Sequence, residues 1–271
     1  MAEGDSIARL AARLHERSAG APIVRSDVRH PRFALVDLAG QTITGWHPRG
    51  KHLLMRTDAG VTVHSHLRMS GRWSVLGAGK RLPRTVAADL RIALHLGDGR
   101  TLAGIGLPVL AVLATRDEHR VVGHLGPDLL GETFDASAAA ARLQASAERA
   151  VLPALLDQRC VAGLGNMWAQ ELLFLGHVNP WRPVGEVDPL PLLDRARTLL
   201  RNAVTSNPGQ NTTGRARPPH WVYGRKGRPC LRCTTSVAFA PPERTPHGRE
   251  TWWCPRCQPA GAHRAGPERA T

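Results

Sequence analysis

The sequence has no apolar run of membrane-spanning length, no long basic amphipathic helix and few lysines. The first absence excludes a transmembrane segment, and the second makes an anionic membrane surface a poor candidate partner. Acidic residues are outnumbered, because 36 Lys and Arg stand against 22 Asp and Glu, for a formal charge of +14. Arginine carries most of this excess, and its planar guanidinium suits bidentate contacts to phosphate. The balance therefore favours a nucleic acid as the partner.

Cysteine is also scarce, and four of the five cysteines form one pattern. Cys230 and Cys233 make one Cys-x-x-Cys pair. After twenty intervening residues, Cys254 and Cys257 make a second pair. This spacing predicts one structural Zn²⁺ held by four thiolates. Two disulfides or four free thiols are the alternative, which nothing secretory in the sequence favours. Cys160 lies outside the pattern and is interpreted as a buried apolar residue.

The residues between the two cysteine pairs predict a zinc-bound β-hairpin. Residues 234–239 and 249–253 are β-prone runs joined by a turn that contains Pro and Gly. Basic side chains crowd this segment, namely Arg225, Lys226, Arg228, Arg232, Arg244, Arg249 and Arg256. We expect a small rigid hairpin with this charge to bind phosphates.

The first residues predict an amphipathic helix with Ile7, Leu10 and Leu14 on one face, capped by Asp5 or Ser6. The small side chain of Ala2 predicts removal of Met1. The free α-amine would then lie at the positive end of the helix dipole, which disfavours its charged form. An uncharged amine is a nucleophile able to form an imine. From this stretch alone, a terminus without function is the simpler interpretation.

From residue 23 to about 113 the pattern is typical of β-strands. Apolar residues alternate with others over 90–96 and 61–66, and residues 33–36 are a further candidate strand. Short strands with frequent turns and no intervening helices predict an antiparallel β-sandwich. Lys51 lies at the start of a predicted strand, where a lysine is usually a solvated charge. Met69 lies at the tip of a predicted loop, where a methionine is usually an apolar side chain without a specific function.

Residues 125–131 break the β pattern with Gly and Pro and are interpreted as an interdomain connection. Beyond them the chain predicts helices over 136–148, 151–158, 167–175 and 190–204. Glycines at 163 and 165 precede one of these helices. Their backbone N–H groups suit an anion, although a tight turn between two helices explains them equally well.

Several different short motifs follow one another along the chain. They lie at residues 3–5, 49–52, 66–71, 125–128, 155–158, 161–166 and 222–225, and the four cysteines come after them. In this order the chain resembles the formamidopyrimidine-DNA glycosylase and endonuclease VIII family from end to end. Within that family it is most similar to the endonuclease VIII-like actinobacterial branch.

The resemblance implies an α+β multidomain protein, with damaged double-stranded DNA bound in a cleft between two domains. The expected parts are an N-terminal antiparallel β-sandwich with a leading helix (1–124), a linker (125–135), a C-terminal helical domain with a helix–two-turns–helix motif (136–220), a four-cysteine zinc-finger β-hairpin (221–258) and a disordered tail (259–271). We expect a cytoplasmic, nucleoid-associated monomer with no membrane partner. Binding to single-stranded or bubble DNA is left open.

The resemblance also implies a base-excision-repair DNA glycosylase with AP-lyase activity, which flips a damaged base out of the duplex. In this family the N-terminal residue attacks the sugar C1′, displaces the base and forms a Schiff base. On this chain that residue is Ala2. Glu3 is then the proton donor, and Lys51 assists the elimination that cuts the strand. Met69 resembles the wedge that fills the gap left by the flipped base.

Phosphate contacts are implied as well. Gly163, Gly165 and Asn166 resemble a phosphate clamp before a helix, and Tyr223 is a further expected contact. Arg249 matches the family's arginine on the zinc hairpin that holds the phosphates flanking the lesion.

Two departures from the family pattern affect these expectations. Ala2 stands where the family has proline, so a primary amine replaces a secondary one. A slower bifunctional enzyme, a glycosylase with weak lyase activity, and a non-catalytic or altered-substrate protein that binds lesions all stay open. Residues 104–110 lack the Arg and Phe that the purine-specific branch uses opposite the lesion. We therefore expect oxidised pyrimidines as substrates, with Leu107 or Leu110 as an apolar substitute.

Overall fold

The computed structural model describes residues 2–206 and 209–260, and it divides the chain into two compact units, Met1–Gly131 and Glu132–Thr271. The division falls within residues 125–135, where the β pattern of the sequence ends. Met1 and residues 261–271, most of the segment predicted to be a disordered tail, lie outside the described residues. None of the described helices is both long and apolar enough to cross a bilayer.

The first unit begins with helix α1, Gly4–Ser18, whose buried side chains include Ile7, Leu10 and Leu14. This apolar face packs against the second strand of the unit. The predicted helix is thus present, but the prediction that Asp5 or Ser6 caps it was wrong, because Glu3 occupies the N-cap.

The strands of the first unit are β1 (Ile23–Val28), β2 (Ile43–Arg49), β3 (His52–Thr57), β4 (Val61–His66), β5 (Arg72–Leu76), β6 (Leu90–Leu96), β7 (Thr101–Ile105) and β8 (Val109–Ala114). They form two antiparallel four-stranded sheets, with the orders β1-β6-β7-β5 and β2-β3-β4-β8. Trp46 of one sheet meets Trp73 of the other edge to face, with 5.0 Å between the ring centroids. Both sheets contribute to one apolar core, as the sequence predicts.

Two local expectations for this unit were wrong. Residues 33–36 are not a strand, because the chain turns at residues 31–35 and the N–H of Phe33 donates to His30 O at 2.8 Å. Pro31 has no N–H to donate to a strand ladder, which favours the turn. A short helix, α2 (Arg84–Ala87), also lies between β5 and β6, where the sequence predicted no intervening helix. A second short helix, α3 (His119–Val122), follows β8.

The second unit contains four helices and a small hairpin within the described residues. They are α4 (Ala136–Gln144), α5 (Val151–Leu156), α6 (Asn166–Leu175), α7 (Pro189–Thr205), β9 (Ala238–Ala240) and β10 (Thr251–Trp253). Every residue from Asn166 to Phe174 is buried, so α6 is the central helix of this unit. It packs against α5, α7 and β10. The predicted helices and the predicted hairpin are therefore present, although α4 ends four residues earlier than expected.

Candidate active site and nucleic-acid interface

Glu3 is fixed at the start of α1, directly after Ala2. The Glu3 N–H donates to Ser6 Oγ at 2.9 Å, and the Glu3 carboxylate accepts from the Ser6 backbone N–H, which makes a capping box. Glu3 is 0% exposed, whereas Ala2 is partly buried against the core. The fold therefore places a buried carboxyl group next to the residue that would carry the free amine.

Lys51 lies in the turn between β2 and β3, directly after Gly50, whose φ of 57° favours glycine. The Gly50 N–H donates to Asp128 Oδ2 at 2.7 Å, and Arg49 contacts the same carboxylate at 3.7 Å. Asp128 is buried. The segment interpreted from the sequence as a connection thus also fixes the turn that carries Lys51. One signal for this role is visible in the sequence, namely a carboxylate immediately after Gly-Pro.

Four histidines surround this turn. His52 Nδ1 and His64 Nε2 are 2.8 Å apart in stacked rings, and His66 and His124 meet the His52 ring edge to face. Burial, followed by the nearby His64, lowers the pKa of His52 to about 3. Burial likewise lowers the pKa of His64 to about 4. At neutral pH these two rings are uncharged and add no positive charge beside Lys51.

Met69 stands at the tip of the loop between β4 and β5, and 72% of its surface is exposed. The Gly71 N–H donates to Leu67 O at 2.8 Å and closes the loop. A Cβ at position 71 would approach that same oxygen to 2.8 Å, so the closure requires glycine. An exposed methionine on a tightly closed loop has the form expected of an apolar wedge.

The proposed substitutes Leu107 and Leu110 do not share this exposure. Each is only 4% exposed and belongs to the core of the first unit. Residues 104–110 are largely strand, since β7 ends at Ile105 and β8 begins at Val109. The expectation that either leucine reaches into a duplex was wrong, because both side chains are buried in the core instead.

Polar groups in the turn before α6 form hydrogen bonds within the second unit. Gly163 has a φ of 110°, and its N–H donates to Gln158 Oε1 at 3.1 Å. Gly165 is the N-cap of α6. Asn166 Nδ2 donates to Glu250 O at 2.9 Å, which connects this turn to the residue after Arg249. The structure thus brings the predicted clamp and the predicted hairpin arginine together within the second unit.

Gln170 joins α6 to the hairpin through both ends of its amide. Its Nε2 donates to Glu250 O at 2.9 Å, and its Oε1 accepts from the Trp252 N–H at 2.6 Å. The side chain thereby pairs with β10 much as a neighbouring strand would. Sequence reasoning missed Gln170, although a polar residue inside an otherwise apolar helix is a usable signal.

Replacing Gln170 by leucine is expected to lower the free energy of unfolding of the second unit by about 2 kcal/mol, because the Trp252 N–H is left buried without an acceptor. Thermal unfolding measures the loss, and hydrogen exchange at Trp252 locates it. The matched control is Gln144→Leu at an exposed position of α4, which should change stability by less than about 0.5 kcal/mol. Equal effects of the two substitutions would contradict a specific role for Gln170.

Glu171 fixes the segment that carries Tyr223. Its carboxylate accepts from the backbone N–H groups of Trp221, Val222 and Tyr223 at 2.8, 2.8 and 2.9 Å, and from the Thr212 hydroxyl. Sequence reasoning missed this residue as well. The Tyr223 ring meets the Trp252 ring at 4.8 Å, so Tyr223 is partly packed on the hairpin core.

Arg249 lies two residues before β10 and is exposed. Its backbone is held at both ends by one side chain, since Thr245 Oγ1 accepts from the Arg249 N–H at 3.0 Å and donates to Arg249 O at 2.9 Å. Within the described part of the chain, no carboxylate forms an ion pair with its guanidinium. A fixed backbone with an unpaired cation suits phosphate binding.

The four paired cysteines converge, and their sulfur atoms all lie within 4.8 Å of one another. The Sγ atoms of Cys230 and Cys257 are 3.9 Å apart, and those of Cys233 and Cys254 are 3.4 Å apart. Tetrahedral zinc with bonds of about 2.3 Å needs sulfur–sulfur distances of roughly 3.8 Å. The cluster therefore fits one metal ion better than two separate disulfides.

The acidity of these thiols differs. A hydrogen bond from the Thr235 side chain lowers the pKa of Cys233 to about 6, whereas burial raises the pKa of Cys254 and Cys257. A bound cation would have to displace protons from the two buried thiols. Cys160, in contrast, is half-buried with Sγ 3.6 Å from Arg142 O, so the interpretation as a buried apolar residue was wrong.

Two family models match the chain. The model described as the formamidopyrimidine-DNA glycosylase N-terminal domain matches residues 1–105, and the formamidopyrimidine-DNA glycosylase H2TH domain matches residues 125–213. The chain is 48% identical over 269 residues to "Probable endonuclease 8 2" of Streptomyces coelicolor, covering 98% of this chain and 97% of that protein. It is 41% identical over 265 residues to "DNA-(apurinic or apyrimidinic site) lyase Nei2" of Mycolicibacterium smegmatis, with 96% and 100% covered.

A solved structure of similar fold is formamidopyrimidine-DNA glycosylase of Lactococcus lactis, non-covalently bound to DNA containing an AP site. Its TM-score is 0.79 at 25% sequence identity, covering 95% of this chain and 100% of that one.

Proposed function

This chain belongs to the formamidopyrimidine-DNA glycosylase family, and we propose that it removes oxidised pyrimidines from DNA through an imine formed at the α-amine of Ala2. At the level of the family, it is a DNA glycosylase with AP-lyase activity. The observation that carries the proposal is the fully buried Glu3, fixed at the N-cap of α1 beside Ala2.

In the proposed reaction, the Ala2 amine attacks C1′ of the damaged nucleotide after Met1 has been removed. The bond from C1′ to the base breaks, and the base leaves with the bonding electrons and takes up the proton that the attacking amine loses. Glu3 then supplies a proton to the ring oxygen O4′. The C1′–O4′ bond breaks as the nitrogen lone pair forms the C=N bond, which gives a protonated imine between Ala2 and the opened sugar. Removal of a proton from C2′ then expels the 3′ phosphate and cuts the strand, with Lys51 assisting.

The N-terminal end of α1 supports this role for Ala2. The helix has 15 residues, and its dipole places partial positive charge at this end. That charge favours the neutral amine, which is the nucleophilic form. A primary amine forms imines, as lysine does in other enzymes. The iminium of a proline is always positively charged, whereas the imine of Ala2 is positively charged only while its nitrogen carries a proton.

The preference for oxidised pyrimidines is supported by two observations. Residues 104–110 contain no Arg or Phe, in contrast to the purine-specific branch. Relatives that cover almost the whole chain are named endonuclease 8 in Streptomyces and Mycobacterium.

DNA binding by the second unit is proposed to use Asn166, the amides of Gly163 and Gly165, Tyr223 and Arg249. For the clamp to form, Asn166 Nδ2 exchanges Glu250 O for a phosphate oxygen. After that exchange Glu250 O still accepts one hydrogen bond, because Gln170 Nε2 also donates to it. We further propose one Zn²⁺ in the cysteine cluster, a monomeric state, a cytoplasmic location and binding to bubble as well as duplex DNA.

Changing Arg249 to alanine is expected to weaken DNA binding about tenfold and to reduce the salt slope of the affinity by about one, without altering lesion preference. Fluorescence anisotropy over a range of salt concentrations measures both quantities. Arg244→Ala is the matched control, since Arg244 is exposed on the same hairpin. An equal loss in both variants would indicate a general charge effect rather than a phosphate contact at Arg249.

Borohydride trapping tests the proposed function. Protein with a mass-verified N-terminus is mixed with duplex DNA carrying an abasic site or an oxidised pyrimidine, and the adduct is mapped. An adduct at Ala2 is the expected result, and protein that retains Met1 should give no adduct at Ala2, whose nitrogen is then in a peptide bond. An adduct at Lys51 would show that the nucleophile is a different residue.

Two further outcomes would overturn the imine step. Free base released without an adduct would indicate a hydrolytic glycosylase. Tight lesion binding with neither adduct nor release would favour a non-catalytic lesion-binding protein, which the alanine at position 2 makes the second candidate function.

A further inference from the structure

The loop that presents Met69 contains a strained residue. Arg68 has a φ of 47°, in the left-handed region that favours glycine. Its backbone is held there by two contacts, because the Arg68 N–H donates to His66 Nδ1 at 3.1 Å and the loop closes from Gly71 to Leu67. A long charged side chain therefore occupies a position where glycine would be unstrained.

The side chain of Arg68 is exposed. In the described residues, no carboxylate pairs with its guanidinium and no acceptor binds it. Among the residues that the structure describes, no hydrogen bond or ion pair of this side chain thus offsets the strain at this position. Strained backbone positions that the surrounding structure enforces cluster at binding and catalytic sites.

Met69 next to it offers only apolar contacts and one weak acceptor. Leu107 and Leu110 are buried, so neither adds a contact at the tip of this loop. Arg68 instead offers five N–H donors one residue from the exposed methionine. Phosphate oxygens and the edge of an unpaired base both present hydrogen-bond acceptors. A guanidinium can form two parallel hydrogen bonds to either of them.

We propose that Arg68 is a DNA-binding residue that contacts acceptor atoms beside the gap filled by Met69. This proposal rests on the proposed function, in which Met69 enters the duplex. Since Met69 and Arg68 are adjacent, insertion of one carries the other to the rim of the gap.

Four substitutions separate charge from backbone strain. Arg68→Lys keeps the charge at the strained position, and Arg68→Gln removes the charge there. Arg68→Asn and Arg68→Gly remove the charge but tolerate positive φ. The probe is a duplex with a reduced abasic site, and the same duplex without the lesion is the reference.

The Gln, Asn and Gly variants should each bind the abasic duplex about tenfold more weakly, with Lys between them and the unchanged protein. The Asn and Gly variants should be no less stable than the unchanged protein in thermal unfolding, which excludes misfolding as the cause. Arg84→Gln, at an exposed arginine of α2, is the control and should bind normally.

Varying the base opposite the abasic site distinguishes the two sources of acceptors. A loss that is equal for all four bases, with a salt slope lower by about one, indicates phosphate. A loss concentrated on one base indicates contact with that base. Unchanged affinity in Arg68→Gln would overturn the proposal.

If the unchanged protein does not prefer the abasic duplex, the proposed function fails instead, before the variants are compared.

Discussion

Replacing Glu3 by glutamine is expected to slow base excision by about a thousandfold, within the range of roughly 10² to 10⁴ that one positioned proton donor contributes. Glutamine has the same shape, and its side-chain oxygen can still accept from the Ser6 N–H at the start of α1. It cannot transfer a proton to the sugar ring. Single-turnover release of base from a lesion duplex measures the change.

The helix itself provides the controls for this experiment. Glu16→Gln, at an exposed position of α1, should leave the rate unchanged. Glu3→Ala removes the cap as well as the acid and should in addition cost about 1 kcal/mol of stability. A Glu3→Gln variant that releases base at the unchanged rate would show that the proton comes from another group.

The sequence predicts well those features that depend on neighbouring residues. The cysteine spacing predicted the hairpin because two Cys-x-x-Cys pairs can meet around one ion only if the chain between them turns back. Alternating apolar residues predicted the strands over 61–66 and 90–96, and apolar residues at helical spacing predicted α6 and α7. In each case the signal lies within a segment of 28 residues or fewer.

The contacts that position the site arise between distant segments and were not predicted. Asp128 holds the turn of Lys51 from 78 residues away, and Gln170 contacts Trp252 from 82 residues away. Local patterns carry no information on such pairings, since many carboxylates and amides along the chain are equally suitable. Burial cannot be predicted from local patterns either. Leu107 and Leu110 lie in a short apolar stretch that an exposed loop could equally contain, and only the packed core of the first unit buries them.

Removing the proposed Zn²⁺ is expected to have the largest effect on structure. Strands β9 and β10 have three residues each, and a two-stranded hairpin of that size is not stable alone in water. Structural zinc contributes about 10–16 kcal/mol to the folding of comparable small sites. Chelation, or Cys254→Ser, should therefore unfold residues 221–258 and reduce DNA affinity by at least about a hundredfold.

The rest of the second unit should keep its fold in the metal-free protein, because α6 packs against α5 and α7 as well as against β10. Unfolding of the hairpin would remove the fixed position of Arg249. It would also remove Glu250 O, the acceptor to which Asn166 and Gln170 of α6 donate hydrogen bonds. Hydrogen exchange should show protection lost over 221–258 and retained over 166–175, with zinc content measured by atomic absorption. Cys160→Ser, outside the cluster, should retain both zinc and affinity. Unchanged DNA affinity in metal-free protein would mean that the helices alone hold the DNA.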